Sequence, residues 1–202
     1  MERTTFPVGT FEVNCSIVFE GGKALVVDPG AEATLVAAKL AKLGLEPAAV
    51  LLTHAHFDHV GAVPDLQRSF PSLPVFVSEA DAKIVSHPFN QFPPDYPPIS
   101  RHNNLKPAKL AEELIGGLEV IETPGHTPGG VCYYFPDEKL LFSGDTLFAG
   151  SVGRTDLPGG DMPTLMDSLR KLTTLPDDTI VIPGHGPRTT IGDEKRTNPY
   201  LI

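Results

Sequence analysis

The segment Thr53-His54-Ala55-His56-Phe57-Asp58-His59 sets three imidazoles and one carboxylate within six residues, directly after the apolar run Val50-Leu51-Leu52. Imidazole and carboxylate suit zinc, iron or manganese, whereas structural zinc is usually held by thiolates. Neither Cys15 nor Cys132 lies near this cluster, so the chemistry to expect is catalytic. Four such groups crowded together are costly unless a cation compensates them. If residues 50–53 form a short buried strand, the loop at its end turns His54 and His56 towards one ion. Asp58 and His59 then fall where a helix begins, because Val60, Val63, Leu66 and Phe70 recur at roughly helical intervals. The spacing therefore reads as two ions side by side, one on His54 and His56 and the other on Asp58 and His59.

One loop cannot close two coordination spheres, so further ligands must come from elsewhere. His126 lies in Thr123-Pro124-Gly125-His126-Thr127-Pro128-Gly129, after a strand-like run at 118–121. Asp145 ends Leu140-Leu141-Phe142-Ser143-Gly144-Asp145, and His185 ends Thr179-Ile180-Val181-Ile182-Pro183-Gly184-His185. The shared pattern is strand, glycine, ligand. Glycine permits tight turns at strand ends, and one polar group at each of several strand ends is how a sheet edge gathers a site from distant sequence.

These residues carry a resemblance. The chain resembles metallo-β-lactamase-fold hydrolases, and within them the short, single-domain glyoxalase II-like (hydroxyacylglutathione hydrolase-like) branch. The similarity spans nearly the whole length and includes Val26-Val27-Asp28-Pro29-Gly30, the His-x-His-x-Asp-His loop, Gly125-His126-Thr127-Pro128-Gly129, Phe142-Ser143-Gly144-Asp145-Thr146-Leu147-Phe148, Gly153-Arg154-Thr155-Asp156 and Pro183-Gly184-His185-Gly186. The resemblance implies that His54, His56 and His126 hold a first metal and that Asp58, His59 and His185 hold a second. Asp145 bridges both, and Asp28 orients the metal loop from behind the ligands. Asp58 and Asp145 are the carboxylates expected to serve catalysis. The implied cofactor is a pair of divalent ions, zinc first, with iron or manganese as the other choices.

Two such cations sharing a water pull its pKa towards neutrality, so a bridging hydroxide can attack a metal-polarised carbonyl at pH 7. A thiolate, with a pKa of about 8.5, departs without a general acid, unlike an amine. A small-molecule thioester of the S-lactoylglutathione type is the expected substrate. Full-length glyoxalase II proteins bind glutathione largely through an added helical domain, and this chain stops seventeen residues after His185, so weak glutathione recognition is expected. Arg101 and His102, in a proline-rich loop at 87–107, are candidate substrate contacts. Arg154 either clamps a substrate carboxylate or pairs with Asp156 or Asp161 to stiffen its loop. The alternative activity is that of a persulfide dioxygenase with one iron on His54, His126 and Asp145. A β-lactamase or a non-catalytic metal-binding domain ranks below both.

Composition, with 41% hydrophobic and 20% charged residues, fits one compact domain, and the resemblance makes residues 1–202 a single metallo-β-lactamase-like domain. A net charge of −9 and the lack of a basic stripe argue against nucleic acid. No run approaches a membrane span and the N-terminus carries no leader pattern, so a cytoplasmic protein is expected, with Cys15 and Cys132 reduced and buried. The apolar patterns predict strands near 4–8, 13–19, 24–28, 50–53, 75–77, 118–122, 130–135, 139–144 and 179–182. Helices are predicted at about 32–43, 59–70, 79–86 and 162–175, the last capped by Asp161. The prolines of 87–107 predict neither helix nor sheet there. Such strands and helices make a mixed α/β fold, and the resemblance specifies a four-layer αββα sandwich.

Overall fold

The alternation of buried side chains along the strands decides the architecture. In the computed structural model, which describes residues 1–97 and 104–201, β1 (Glu2–Val8), β2 (Val13–Glu20), β3 (Lys23–Val27), β4 (Pro47–Leu51), β5 (Val75–Val77) and β6 (Leu105–Pro107) form one sheet in sequential order. The first three strands pair antiparallel, and β3 to β6 run parallel. A second sheet has the order β13 (Thr189–Thr190), β12 (Ile180–Pro183), β9 (Leu140–Gly144), β8 (Val131–Phe135), β7 (Glu119–Glu122), with β9 and β12 parallel. A small hairpin joins β10 (Leu147–Phe148) to β11 (Ser151–Val152).

Successive strand residues point to opposite faces, and here both faces are apolar. Leu25, Val27, Leu51 and Phe76 of the first sheet meet Tyr133, Phe135, Leu140, Phe142 and Ile182 of the second in one buried cluster. Their neighbours Ala24, Val26 and Val50 face away, against Val36 and Leu40 of α1 (Ala33–Lys42) and Val63 and Leu66 of α3 (Val63–Ser69). On the far side of the second sheet, Cys132, Tyr134, Leu141 and Val181 pack on Leu165, Leu169 and Leu172 of α5 (Met162–Leu172) and on Ile191 of α6 (Ile191–Thr197). Each sheet must bury two apolar faces, one on the other sheet and one under helices, and the outcome is the four-layer αββα sandwich.

The structure corrects several boundaries. The helix expected at about 59–70 is two helices, α2 (Phe57–Val60) and α3, with Pro64 in the first turn of the second. Proline has no N–H for the Val60 carbonyl, so one continuous helix cannot form through it. The helix expected at 79–86 is the single turn α4 (Glu79–Ala82), whose start is capped by Ser78 Oγ accepting the Asp81 amide at 3.1 Å. The segment 87–107 is not wholly irregular, since β6 at its end pairs with β5. Pro107 is tolerated there because β6 is an edge strand. The short β10, β11 and β13 and the helix α6 were too brief to show a period. Asp161 caps α5 as expected, accepting the Thr164 amide at 2.9 Å. Among the described residues, no helix is long and apolar enough to cross a membrane.

Candidate metal centre

Parallel strands leave their carboxyl ends at one sheet edge, where open α/β sheets build their sites. Asp28 follows β3 and His54 follows β4, its parallel neighbour; Asp145 follows β9 and His185 follows β12, another parallel pair. His126 sits in the turn between β7 and β8, and Asp58 and His59 lie on α2. The glycines of the strand-glycine-ligand pattern have a steric purpose. A Cβ on Gly184 would stand 2.1 Å from Asp145 Oδ1, and one on Gly144, at φ +49°, would stand 2.3 Å from Thr53 Oγ1. Only glycine lets these turns approach Asp145 and Thr53 so closely.

All seven expected ligands come together. His54, His56 and His126 form one grouping, Asp58, His59 and His185 a second, and His54, His59 and Asp145 a third between them, with ligand atoms within 4.8 Å of one another in each. Two ligands on one tetrahedral ion, at bond lengths of about 2.1 Å, stand about 3.4 Å apart. The observed separations bracket that value. His56 Nδ1 lies 2.9 Å from His126 Nε2, and His185 Nε2 lies 3.3 Å from Asp58 Oδ2. Asp145 reaches both sides, with Oδ1 3.4 Å from His59 Nε2 and Oδ2 3.6 Å from His126 Nε2 and 3.7 Å from His185 Nε2. The Nε2 atoms of His54 and His59 and Asp145 Oδ1 are buried with no hydrogen-bond partner, while His56 turns its Nδ1 to the centre. Converging polar atoms of this kind fit cations, which would satisfy them together.

The atoms facing outward are anchored, which decides which ring nitrogen faces the centre. His59 Nδ1 donates to Asp28 Oδ2 at 3.0 Å, His126 Nδ1 to the Arg154 carbonyl at 2.7 Å, and His185 Nδ1 to the Phe11 carbonyl at 2.8 Å. His54 Nδ1 lies 3.1 Å from Thr53 Oγ1, which donates to Asp28 Oδ2 at 2.6 Å. Asp28 thus orients His59 directly and His54 through Thr53, and its Oδ1 accepts the Thr53 amide at 2.8 Å.

Electrostatics divide the histidines. Burial, reinforced by His59 and His126, pushes His54 well below its ordinary pKa, and burial with His126 lowers His56 to about 4. Both shifts favour the neutral ring, the form in which a histidine can hold a metal. Burial also works against charge on His59, but Asp145 and Asp28 outweigh it and hold its pKa well above the usual value. His185 is likewise raised, because the hydrogen bond to Asp58 and the charge of Asp145 overcome its burial. Asp58 and Asp145 are lowered despite burial, Asp58 by His185 and Asp145 by His59.

One residue of the site escaped the sequence reading. Asp81, fully buried, accepts the Ala55 amide and the Thr127 hydroxyl with Oδ2, at 3.0 and 2.8 Å, and the Gly129 amide with Oδ1 at 2.7 Å. It ties the His54–His56 loop to the turn carrying His126. Its only sequence signal was Ser78-x-x-Asp81, which reads as an ordinary helix start. Arg154 forks onto Asp156 at 2.6 and 2.8 Å on the surface, while its backbone carbonyl holds His126. Arg101 and His102 lie outside the described residues.

Residues 8–185 match the family model described as the metallo-beta-lactamase superfamily. The chain is 38% identical to the hydroxyacylglutathione hydrolase GloC of Haemophilus influenzae, over 100% of this chain and 98% of that protein. Among solved structures it is similar to the BLEG-1 B3 metallo-beta-lactamase, with a TM-score of 0.89 and 39% identity over 99% of both chains. It is also similar to TTHA1623 in a di-iron-bound form, with a TM-score of 0.85 and 40% identity over 98% of this chain and 100% of the other.

Proposed function

The chain belongs to the metallo-beta-lactamase superfamily, and from that premise we propose that it is a binuclear metal-dependent thioesterase of the hydroxyacylglutathione hydrolase type. His54, His56 and His126 would hold one divalent ion and Asp58, His59 and His185 the other, with Asp145 placed to serve both. The observation that carries the binuclear reading is the reach of the Asp145 carboxylate, whose oxygens lie 3.4–3.7 Å from histidines of both groupings. When bound, divalent ions of this kind lower the pKa of water towards neutrality and polarise a carbonyl.

The residues of the chain prepare the site for that chemistry. Asp28, the Arg154 carbonyl and the Phe11 carbonyl each keep a proton on an Nδ1 atom, so the Nε2 lone pairs of His59, His126 and His185 face inward. A proton lying between His56 Nδ1 and His126 Nε2 would have to give way to a cation there, and the neutral His56 ring can carry it on Nε2 instead. Burial excludes bulk water from His54, His56 and His59 and strengthens the field of the two carboxylates. A thiolate leaving group needs no proton donor, and Asp58 and Asp145, both held below the ordinary carboxylate range, supply none. Zinc is the metal we favour for an all-nitrogen and carboxylate donor set, and the free, buried Cys15 and Cys132 support a reducing, cytoplasmic setting.

Metal analysis followed by assay of S-lactoylglutathione cleavage, with and without oxygen, tests the reading. Two metal equivalents and oxygen-independent thiol release are expected. One tightly held iron with oxygen consumption would replace the thioesterase by the persulfide dioxygenase. A β-lactam belongs in the same assay, because of the similarity to a B3 metallo-beta-lactamase.

A further inference from the structure

We propose that an aromatic wall beside His185 is a substrate subsite that accepts an apolar alkyl or aryl substituent. The hydrolase reading enters only in naming the substituent as part of a thioester.

The ligand cluster opens to solvent on one side. The side chain of His185 is 28% exposed and those of Asp58 and Asp145 are 12% and 13%, whereas His59 is fully buried. Three phenylalanines in mutual contact are tied to these residues. Phe57 sits in the chain between His56 and Asp58, and the carbonyl of Phe11 accepts the His185 Nδ1 hydrogen at 2.8 Å. Phe92 stacks on Phe57, with ring centroids 5.9 Å apart and an interplanar angle of 15°, and meets Phe11 edge-on at 5.2 Å. Phe11 in turn meets Phe57 edge-on at 5.5 Å. Phe148 lies on another side of His185, with ring centroids 6.4 Å apart.

Two of these rings are unusually open for phenylalanine, Phe11 at 38% and Phe92 at 50% exposed. Contiguous exposed apolar surface next to a reactive centre marks a binding site more often than a folding remnant. The wall is also held in place from behind. Buried Tyr96 packs 5.2 Å from Phe57 and 5.6 Å from Phe11, and its hydroxyl occupies the space that a Cβ on Gly9 would fill. The Phe92 and Tyr96 backbones exchange hydrogen bonds of 2.7 and 2.8 Å, and Thr10 Oγ1 donates to Asp95 Oδ2 at 2.8 Å. The proline-rich segment and the β1–β2 turn are thereby joined, and the exposed rings need little ordering when a ligand arrives. Phe11, Phe57 and Phe92 offer faces and edges but no cation, which suits a hydrocarbon substituent rather than the carboxylates of a peptide carrier.

The test is calorimetric binding of two non-hydrolysable thioethers, 2-(methylthio)ethanol and 2-(hexylthio)ethanol, to the metal-loaded protein. A buried methylene adds about fourfold in affinity, so five partly buried ones should favour the hexyl compound by at least about thirtyfold. Phe92→Ala and Phe11→Ser should each cut that ratio at least about fivefold, and circular dichroism checks that both remain folded. A wild-type ratio below about threefold, or a ratio retained in both variants, overturns the subsite. A parallel hydrolysis series, lengthening first the acyl and then the thiol part of a thioester, identifies which end the wall receives. The ratio intact without hydrolysis would remove the thioesterase reading and keep the subsite; hydrolysis without the ratio would do the reverse.

Discussion

Asp81 accepts the backbone amide of Ala55 at 3.0 Å although 26 residues separate them, and this bond sets the loop between two metal-ligand candidates, His54 and His56. The same carboxylate holds Thr127 and Gly129 beside His126.

Replacing Asp81 by alanine strands buried donors, each at about 1–3 kcal/mol. The Asp81→Ala protein should melt earlier and bind metal at the His54, His56 and His126 grouping about 10–100-fold more weakly, as loss of a ligand-orienting partner typically does. Asp81→Asn should recover only part, because its amide nitrogen cannot accept from the amides it would face. Calorimetric melting and metal titration measure both effects. Wild-type metal affinity in Asp81→Ala would mean that the two loops keep their geometry unaided.

Asp145→Ala should lose both ions together, whereas His185→Ala should mainly weaken the ion shared with Asp58 and His59. The basis is geometric, since Asp145 approaches histidines of both groupings, whereas His185 approaches Asp58 of its own grouping and the intervening Asp145. Elemental analysis after dialysis reads the difference. Equal loss from the two variants would remove Asp145 from its place between the ions.

For Arg154→Ala a small effect is expected. The guanidinium meets Asp156 on the surface, where such a pair contributes about 0–1 kcal/mol, and the carbonyl that holds His126 survives the substitution. Metal content should be unchanged and KM should rise less than about threefold, equivalent to roughly 0.7 kcal/mol. A rise beyond about tenfold would instead identify Arg154 as a clamp on a substrate carboxylate.

Alkaline pH should destabilise the fold. Burial pushes Cys132 up to about 12, and raises Cys15 and Tyr133 as well. Below the ordinary thiol pKa both folded and unfolded chains keep these protons, so no stability is lost. Above it only the unfolded chain releases them, and each cysteine should cost about 1.4 kcal/mol per pH unit up to its folded value. Denaturant midpoints between pH 8 and pH 11 measure the slope. The same burial predicts that a thiol reagent at pH 8 labels neither cysteine until the protein unfolds. Rapid labelling of the native protein, or a flat midpoint, would show that the thiols are accessible.

The residue types that could hold a metal, and the need for more than one loop to gather them, were legible in the chain itself. His54, His56, Asp58 and His59 are neighbours, and His126, Asp145 and His185 each follow a strand and a glycine, so local chemistry and backbone sterics exposed them. The long strands and α5 were legible for a similar reason, because period-two and helical patterns record which faces are buried. Elements of two or three residues leave no period, and Pro64 divided a helix whose apolar spacing looked continuous. What only the tertiary structure decided are the contacts that local sequence does not encode. Asp81 became a brace because α4 packs against two loops that lie 26 and 46 residues away. Arg154 reached His126 through its carbonyl, a group every residue carries and no motif reveals. Phe11 and Phe92, read singly, are unremarkable apolar residues; they make a wall because the β1–β2 turn and the proline-rich segment meet beside His185. Residue type and short spacing determine what chemistry is possible, and packing between distant segments determines which atoms face it.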